Sequence, residues 1–164
     1  MIGRMSISEQ HLDAWRAVVT SHAAVTARVQ KALAAADLPP LSWFEMLAAV
    51  DASPGGPPRM SELAEYLTLS RGGITKLVDR LSEAGYVERV SCSDDRRSLQ
   101  ADLTPAGRRM LKEMRSVYAA EVSRHLASVT GSEAELITSA LGRVTGSTCD
   151  SEASDAGAPA VKAA

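Results

Sequence analysis

The stretch "MSELAEYLTLSRGGITKLVDRLSEAG", Met60 to Gly85, constrains the fold more than any other part of the chain. Ser61 stands where it can cap a short helix in which Leu63, Ala64 and Leu67 face inward. "TLS" then makes a tight turn, and Ser70 caps a second helix. There Ile74, Leu77, Val78 and Leu81 recur at i, i+3, i+4 and i+7, the apolar stripe of a helix packed on a core. Gly85 ends it as a C-terminal cap. Two short helices joined in this way form a helix-turn-helix. Such a helix fits the major groove of a duplex and presents its N-terminal side chains to base edges.

Two strand signals follow without a break. Leu99, Ala101 and Leu103 alternate with Gln100, Asp102 and Thr104, the period-2 pattern of a half-buried strand. "YVERVSC", Tyr86 to Cys92, supplies a β-rich partner. The tip between them, "SDDRRS", lacks the Gly or Asn that a tight hairpin turn asks for and sets Asp94, Asp95, Arg96 and Arg97 at its most exposed point.

The rest of the chain is helical in character. Leu12, Trp15, Val19, His22, Val29, Leu33 and Ala36 form a coiled-coil-like seam, interrupted by Thr26, along a first helix expected over 8–36. "DLPPL" stops it. "SWFE" opens a second helix with Ser42 as cap and Glu45 at the capping-box position. "ASPGGPP" is a clear break. Thr104 and Pro105 start a helix that runs to about Val129, burying Leu111, Met114, Tyr118, Val122 and His125. A last short helix has Ser132 and Glu135 at capping-box spacing. The first helix and the last two carry more apolar stripe than so small a fold can bury alone, so a second copy of the chain is expected. Beyond Thr145 periodicity is lost, and residues 147–164 read as a disordered tail.

A hydrophobic share of 45%, drawn mostly from Ala, Leu and Val, with 4% aromatic residues, favours helices over a large sheet. The expected class is therefore mainly α with a small β-hairpin. No run is long enough to span a membrane, and the N-terminus lacks the apolar core of a signal peptide. Two cysteines, Cys92 and Cys149, make no disulfide framework and fit no zinc spacing, so a cytoplasmic setting is the default. A net charge of −2 gives no global sign of nucleic-acid binding, which must rest on local arrangement.

That arrangement is specific. Opposite the apolar stripe of the second short helix lie Gly72, Lys76, Asp79 and Glu83, with Thr75 and Arg80 at the flanks. Ser70, Arg71, Gly72, Thr75, Lys76 and Arg80 are the candidate DNA contacts. Arg71, Thr75 and Lys76 are nearest the N-terminal end, and Arg80 suits a phosphate. Gly72 and Gly73 each cost roughly 1 kcal/mol against alanine in a helix interior, less in a first turn. Close backbone approach to DNA would repay that, and simple tolerance of glycine in a first turn is the competing reading. A hairpin straight after such a helix is a wing, and arginine at its tip suits a narrow minor groove. Arg96 and Arg97 are the candidates, with Asp95 orienting Arg97. By itself the charge cluster would read as a solvated set of weak ion pairs. Its place between the helix and "LTPAG" argues otherwise.

"LVDRLSEAGYVER", the Asp95-Arg96-Arg97 triplet and "LTPAG" together resemble the multiple-antibiotic-resistance regulator (MarR) family of bacterial transcription factors. The resemblance covers about residues 10 to 145 and is strongest from Met60 to Leu111. It implies one domain over 1–146: a winged helix (about 42–104) flanked by dimerisation helices (about 8–36 and 105–146). It also implies a homodimer on a palindromic operator in double-stranded DNA, usually a repressor, released by a small molecule or by oxidation. The family's ligand pocket lies where the dimerisation helices meet the winged helix, which implies Trp15, His22, Trp43 and Met46 as lining.

Other readings are weaker. His11, His22 and His125 lack a third ligand at helical spacing, so neither a metal nor another cofactor is expected. Cys92 near Arg89, Arg96 and Arg97 is a candidate redox switch. The family's peroxide sensors carry their cysteine near the N-terminus, where this chain has none, so Cys92 reads as a small hydrophobe. No phosphate loop, triad or carboxylate pair points to an enzyme. A winged helix serving only as a protein-interaction module is the remaining alternative.

Overall fold

The architecture follows from where the helices can start. In a computed structural model that describes residues 7–91 and 99–146, the order is α1 (Glu9–Ala35), α2 (Leu41–Asp51), α3 (Met60–Tyr66), α4 (Arg71–Glu83), β1 (Val87–Ser91), β2 (Leu99–Leu103), α5 (Pro105–His125) and α6 (Gly131–Thr145). The chain is mainly α with one antiparallel hairpin, as its patterning implies. Cys92 to Ser98 and 147–164 lie outside the described residues, and with them fall Asp95, Arg96, Arg97 and the tail.

Ser8 caps α1, accepting the His11 N–H. Ser70 caps α4 and Thr104 caps α5 with Pro105 at the first helical position, all as the sequence indicates. Three starts differ. α2 begins directly after Pro40, which places Ser42 inside the first turn with no capping role. α3 begins at Met60: the Arg59 N–H donates to the Glu62 carboxylate at 2.8 Å, and Ser61 is already helical. α6 is capped by Thr130, with Glu133 returning a bond to the Thr130 N–H at 2.8 Å, in place of Ser132 and Glu135. The Thr130 N–H and hydroxyl hold the Glu133 carboxyl below its ordinary range. α5 ends at His125, one turn short of Val129.

The core joins the lower half of α1 (Val29, Leu33), α2 (Phe44, Met46, Leu47, Val50), the helix-turn-helix (Leu63, Ile74, Val78, Leu81), the hairpin (Val87, Ala101, Leu103) and α5 (Leu111, Met114). Phe44 stacks on Tyr118 with ring centres 4.5 Å apart, and Trp43 meets Tyr86 edge-on at 6.0 Å. The hairpin pairs Val87 with Leu103, Arg89 with Ala101 and Ser91 with Leu99. Ala101 and Leu103 are buried as the alternation requires, whereas Leu99 is exposed because it sits at the outer end of the strand, past the core. Residues just after the Pro-Gly break cover the outer edge of β2: the Ala101 N–H donates to the Pro58 carbonyl at 3.1 Å, and Arg59 bridges to Gln100. Arg108 of α5 reaches Asp102 of β2 (3.2 Å) and Asp51 of α2 (3.6 Å), and Arg115 also reaches Asp51 (3.2 Å).

Two surfaces are left apolar. On α1 the upper seam stands open, with Trp15 62% and Val19 46% exposed and His22 exposed as well, and Ala36, just past the other end of the helix, is exposed too. α6 has no buried residue and shows Leu136, Ile137, Leu141 and Val144 to solvent.

Candidate nucleic-acid interface

The turn between α3 and α4 closes because Thr68 takes a positive φ of 53° and the Leu69 N–H returns to the Ala64 carbonyl at 2.9 Å. Ser70 Oγ then accepts the Gly73 N–H at 3.1 Å, fixing the first turn of α4. Ile74, Val78 and Leu81 sink into the core. With one face so anchored, helical winding leaves Arg71, Gly72, Thr75, Lys76 and Arg80 exposed on the outside. The Thr75 hydroxyl donates back to the Arg71 carbonyl at 2.9 Å.

The glycine pair divides. A Cβ on Gly72 would meet nothing within 4 Å, so packing inside the chain gives no reason for glycine there. A Cβ on Gly73 would come 3.2 Å from the capping Ser70 oxygen, so Gly73 keeps the cap clear.

Asp79 is not free on the outer face. It turns toward the hairpin and forms an ion pair with Arg89 of β1. Arg71, Thr75 and Asp79 follow one another at four-residue steps along this side of α4. Between them, the start of α3 and the hairpin lies an open cleft of about 480 Å³, lined by Arg59, Arg71, Thr75, Arg89 and Leu99 among others. Three arginines therefore line a cleft beside the N-terminal half of α4. Arg59 and Arg89 are absent from the contacts chosen on the sequence. One signal does exist for Arg89: it has the same strand parity as buried Val87, a charge on the inner face of a hairpin.

The residues proposed around an effector are distributed over two depths. Met46 is fully buried in the core, Trp43 is half-buried against Tyr86, and Trp15 and His22 are exposed on α1. Glu45, beside Met46, has no capping role because α2 starts after Pro40. Burial raises its carboxyl above the ordinary range, and nearby His22 opposes the shift. Burial, with Glu45 and Tyr66 nearby, also pushes the Tyr118 hydroxyl up. Four helices thus bring ionisable groups to one place, and of these the resemblance implies only His22 as lining. Among the described residues no three His, Cys, Asp or Glu side chains gather as a metal site. No helix among them is long and apolar enough to cross a membrane.

Comparison with known proteins matches this geometry. Residues 36–98 match the MarR family. The uncharacterized HTH-type transcriptional regulator YcgE of Bacillus subtilis is 34% identical over 88 residues, 54% of this chain and 57% of that protein. The chain spans about half the length of the curated relatives it matches. Among solved structures, AbsC, a MarR family transcriptional regulator from Streptomyces coelicolor, is 25% identical over 86% of this chain and 95% of its own, with a TM-score of 0.76. Sco3205, a MarR family transcriptional regulator from the same organism solved in complex with DNA, shares the fold. Its TM-score is 0.75 at 21% identity, over 89% of this chain and 91% of its own.

Proposed function

We propose, from the match of residues 36–98 to the MarR family and the winged-helix fold, that the chain is a sequence-specific DNA-binding transcriptional regulator of that family. It acts as a homodimer in the bacterial cytoplasm, represses from a palindromic operator and is released by a small-molecule effector. The observation that carries this reading is α4: anchored by Ile74, Val78 and Leu81, capped by Ser70, and exposing Arg71, Gly72, Thr75, Lys76 and Arg80 beside a hairpin. Lys76 reads base edges, and Arg80 holds a phosphate. Arg96 and Arg97, with Asp95 orienting Arg97, are assigned to the minor groove on the strength of the sequence alone. The proteins matched are transcriptional regulators, not enzymes. The effector acts where α1 meets α2, on Trp15, His22, Trp43 and Met46, next to Glu45.

The test is a gel shift of the full chain on the DNA next to its own gene, against a scrambled duplex, with and without candidate effectors. The promoter duplex should shift at lower protein concentration than the scrambled one. Equal shifts would remove sequence specificity, and no shift on either would leave a protein-interaction module.

A further inference from the structure

α2 is a buried, apolar helix, and Glu45 is its one charge between Leu41 and Val50. The helix packs against α1, α3 and α5, and each of these brings an ionisable side chain to the neighbourhood of that carboxylate: His22, Tyr66 and Tyr118. Stacking on Phe44, with ring centres 4.5 Å apart, fixes Tyr118 in place. We propose that this junction takes a protonated organic amine on a ring-bearing apolar body, and that Glu45 is the residue that selects it over an anion.

The proposal rests on the effector reading and names the effector's chemical class. Among the described residues Glu45 has no ion-pair partner. The arginines of this stretch of α5 are committed elsewhere. Arg115, one turn before Tyr118, is held by Asp51 at the far end of α2 (3.2 Å), and Arg124, beyond it, is held by Glu121. His22 is the only base in the cluster, and an imidazole is not a permanent cation. The junction therefore offers a ligand one carboxylate and two phenols, with no fixed positive charge to answer them.

Glu45 is open to solvent on its side of α2, as are His22 and Tyr66, so a ligand can reach it. Packing nonetheless removes enough water to raise its carboxyl above the ordinary range. A carboxylate in that state gains more from a cation than one in bulk water does, because the ion pair replaces hydration already lost. An anion meets the reverse. It gives up its own hydration, finds no guanidinium or ammonium group, and is repelled by the carboxylate. The rings complete the choice. Aromatic faces such as those of Tyr66 and Tyr118 attract an ammonium group. Exposed Trp15, on the same α1 seam as His22, offers apolar area to the body of the ligand.

The experiment is a calorimetric titration of the full chain with three probes that share an indole body: tryptamine, its neutral alcohol analogue tryptophol, and indole-3-propionate. Tryptamine should bind about tenfold tighter than tryptophol, the scale of one charge-assisted hydrogen bond, and indole-3-propionate should bind weakest. E45Q keeps the shape of the side chain without its charge, so it should lose that preference for tryptamine over tryptophol. E45D keeps the charge and should recover part of it. Melting curves of both variants show that they fold. Indole-3-propionate binding as well as tryptamine, or E45Q keeping the tryptamine preference, overturns the proposal, as does a parent that binds none of the three. A gel shift on the DNA upstream of its own gene, with tryptamine added, is the separate arm. Glu45-dependent binding that leaves the duplex bound upholds the amine site and fails the effector reading. A parent that binds no duplex fails the regulator reading, while the calorimetry still decides the site.

Discussion

Gly107 has no room for a side chain. An ideal Cβ there would lie 2.0 Å from the Tyr86 carbonyl oxygen, which also accepts the Thr104 N–H at 3.1 Å. The Thr104 hydroxyl meanwhile donates to the Gly85 carbonyl at 2.6 Å and accepts the Gly107 N–H at 3.0 Å. "LTPAG" is therefore the clasp that brings α5 onto the end of α4 and the root of the hairpin. Gly107→Ala should cost about 3 kcal/mol, the upper end of overpacking penalties, because backbone rather than a flexible side chain blocks the methyl. A urea midpoint equal to the parent's would show the clasp to be slack. Glu45 gives the second prediction at this scale. Its folded-state pKa is raised, chiefly by burial, with His22 opposing. The stability it contributes is thus fully present below the ordinary carboxylate range and is lost as pH rises through the raised value. Glu45→Gln should flatten the dependence of the unfolding midpoint on pH between the acid range and neutrality, and should be at least as stable as the parent at neutral pH. A Glu45→Gln profile that runs parallel to the parent's across that window would contradict the direction of the shift.

At the scale of the element, helix ends decide what stands at the interface. Ser70→Ala leaves the Gly73 N–H without its partner and should cost about 1 kcal/mol, with most of the loss returned by Ser70→Asn. Thermal melts of the three proteins measure this, and equal melting points would mean that the first turn of α4 holds without its cap. Ser70 and Thr104 were legible because each directly follows a turn or a strand that leaves one possible start. Thr130 was not, because Thr130/Glu133 and Ser132/Glu135 both satisfy the same spacing, two residues apart, and nothing local separates them. α2 and α3 run back to Pro40 and Arg59 because the preceding prolines restrict only what comes before, so Ser42 and Ser61 are absorbed into first turns. The outer face of α4 was readable from the 3.6-residue period alone. The Asp79–Arg89 pair was not, since it depends on the angle at which the hairpin crosses α4.

For the whole molecule, the decisive feature is apolar surface without a partner. Ile137, Leu141 and Val144 fall at i, i+4 and i+7 on α6, with Leu136 alongside, and none is buried. Trp15 and Val19 add to this from the open half of α1, and Ile7 is exposed just ahead of it. Monomeric soluble proteins rarely leave contiguous apolar stripes of this kind on two helices near the chain ends. The α1 seam, read from the sequence as too long for one chain, is half consumed by Val29 and Leu33 in the core and half unused. A second copy related by a two-fold axis covers such surfaces with the same residues from the other side, and sets two α4 helices a fixed distance apart, as a palindrome requires. Sedimentation velocity should therefore give the mass of two chains at micromolar concentration. Leu141→Glu with Val144→Glu should shift it toward one chain, with the helical signal of the winged helix retained, because neither residue touches that core. It should also weaken DNA binding, since each half-site would then be bound alone. A parent that sediments as a folded single chain at that concentration would remove the dimer and, with it, the palindromic operator.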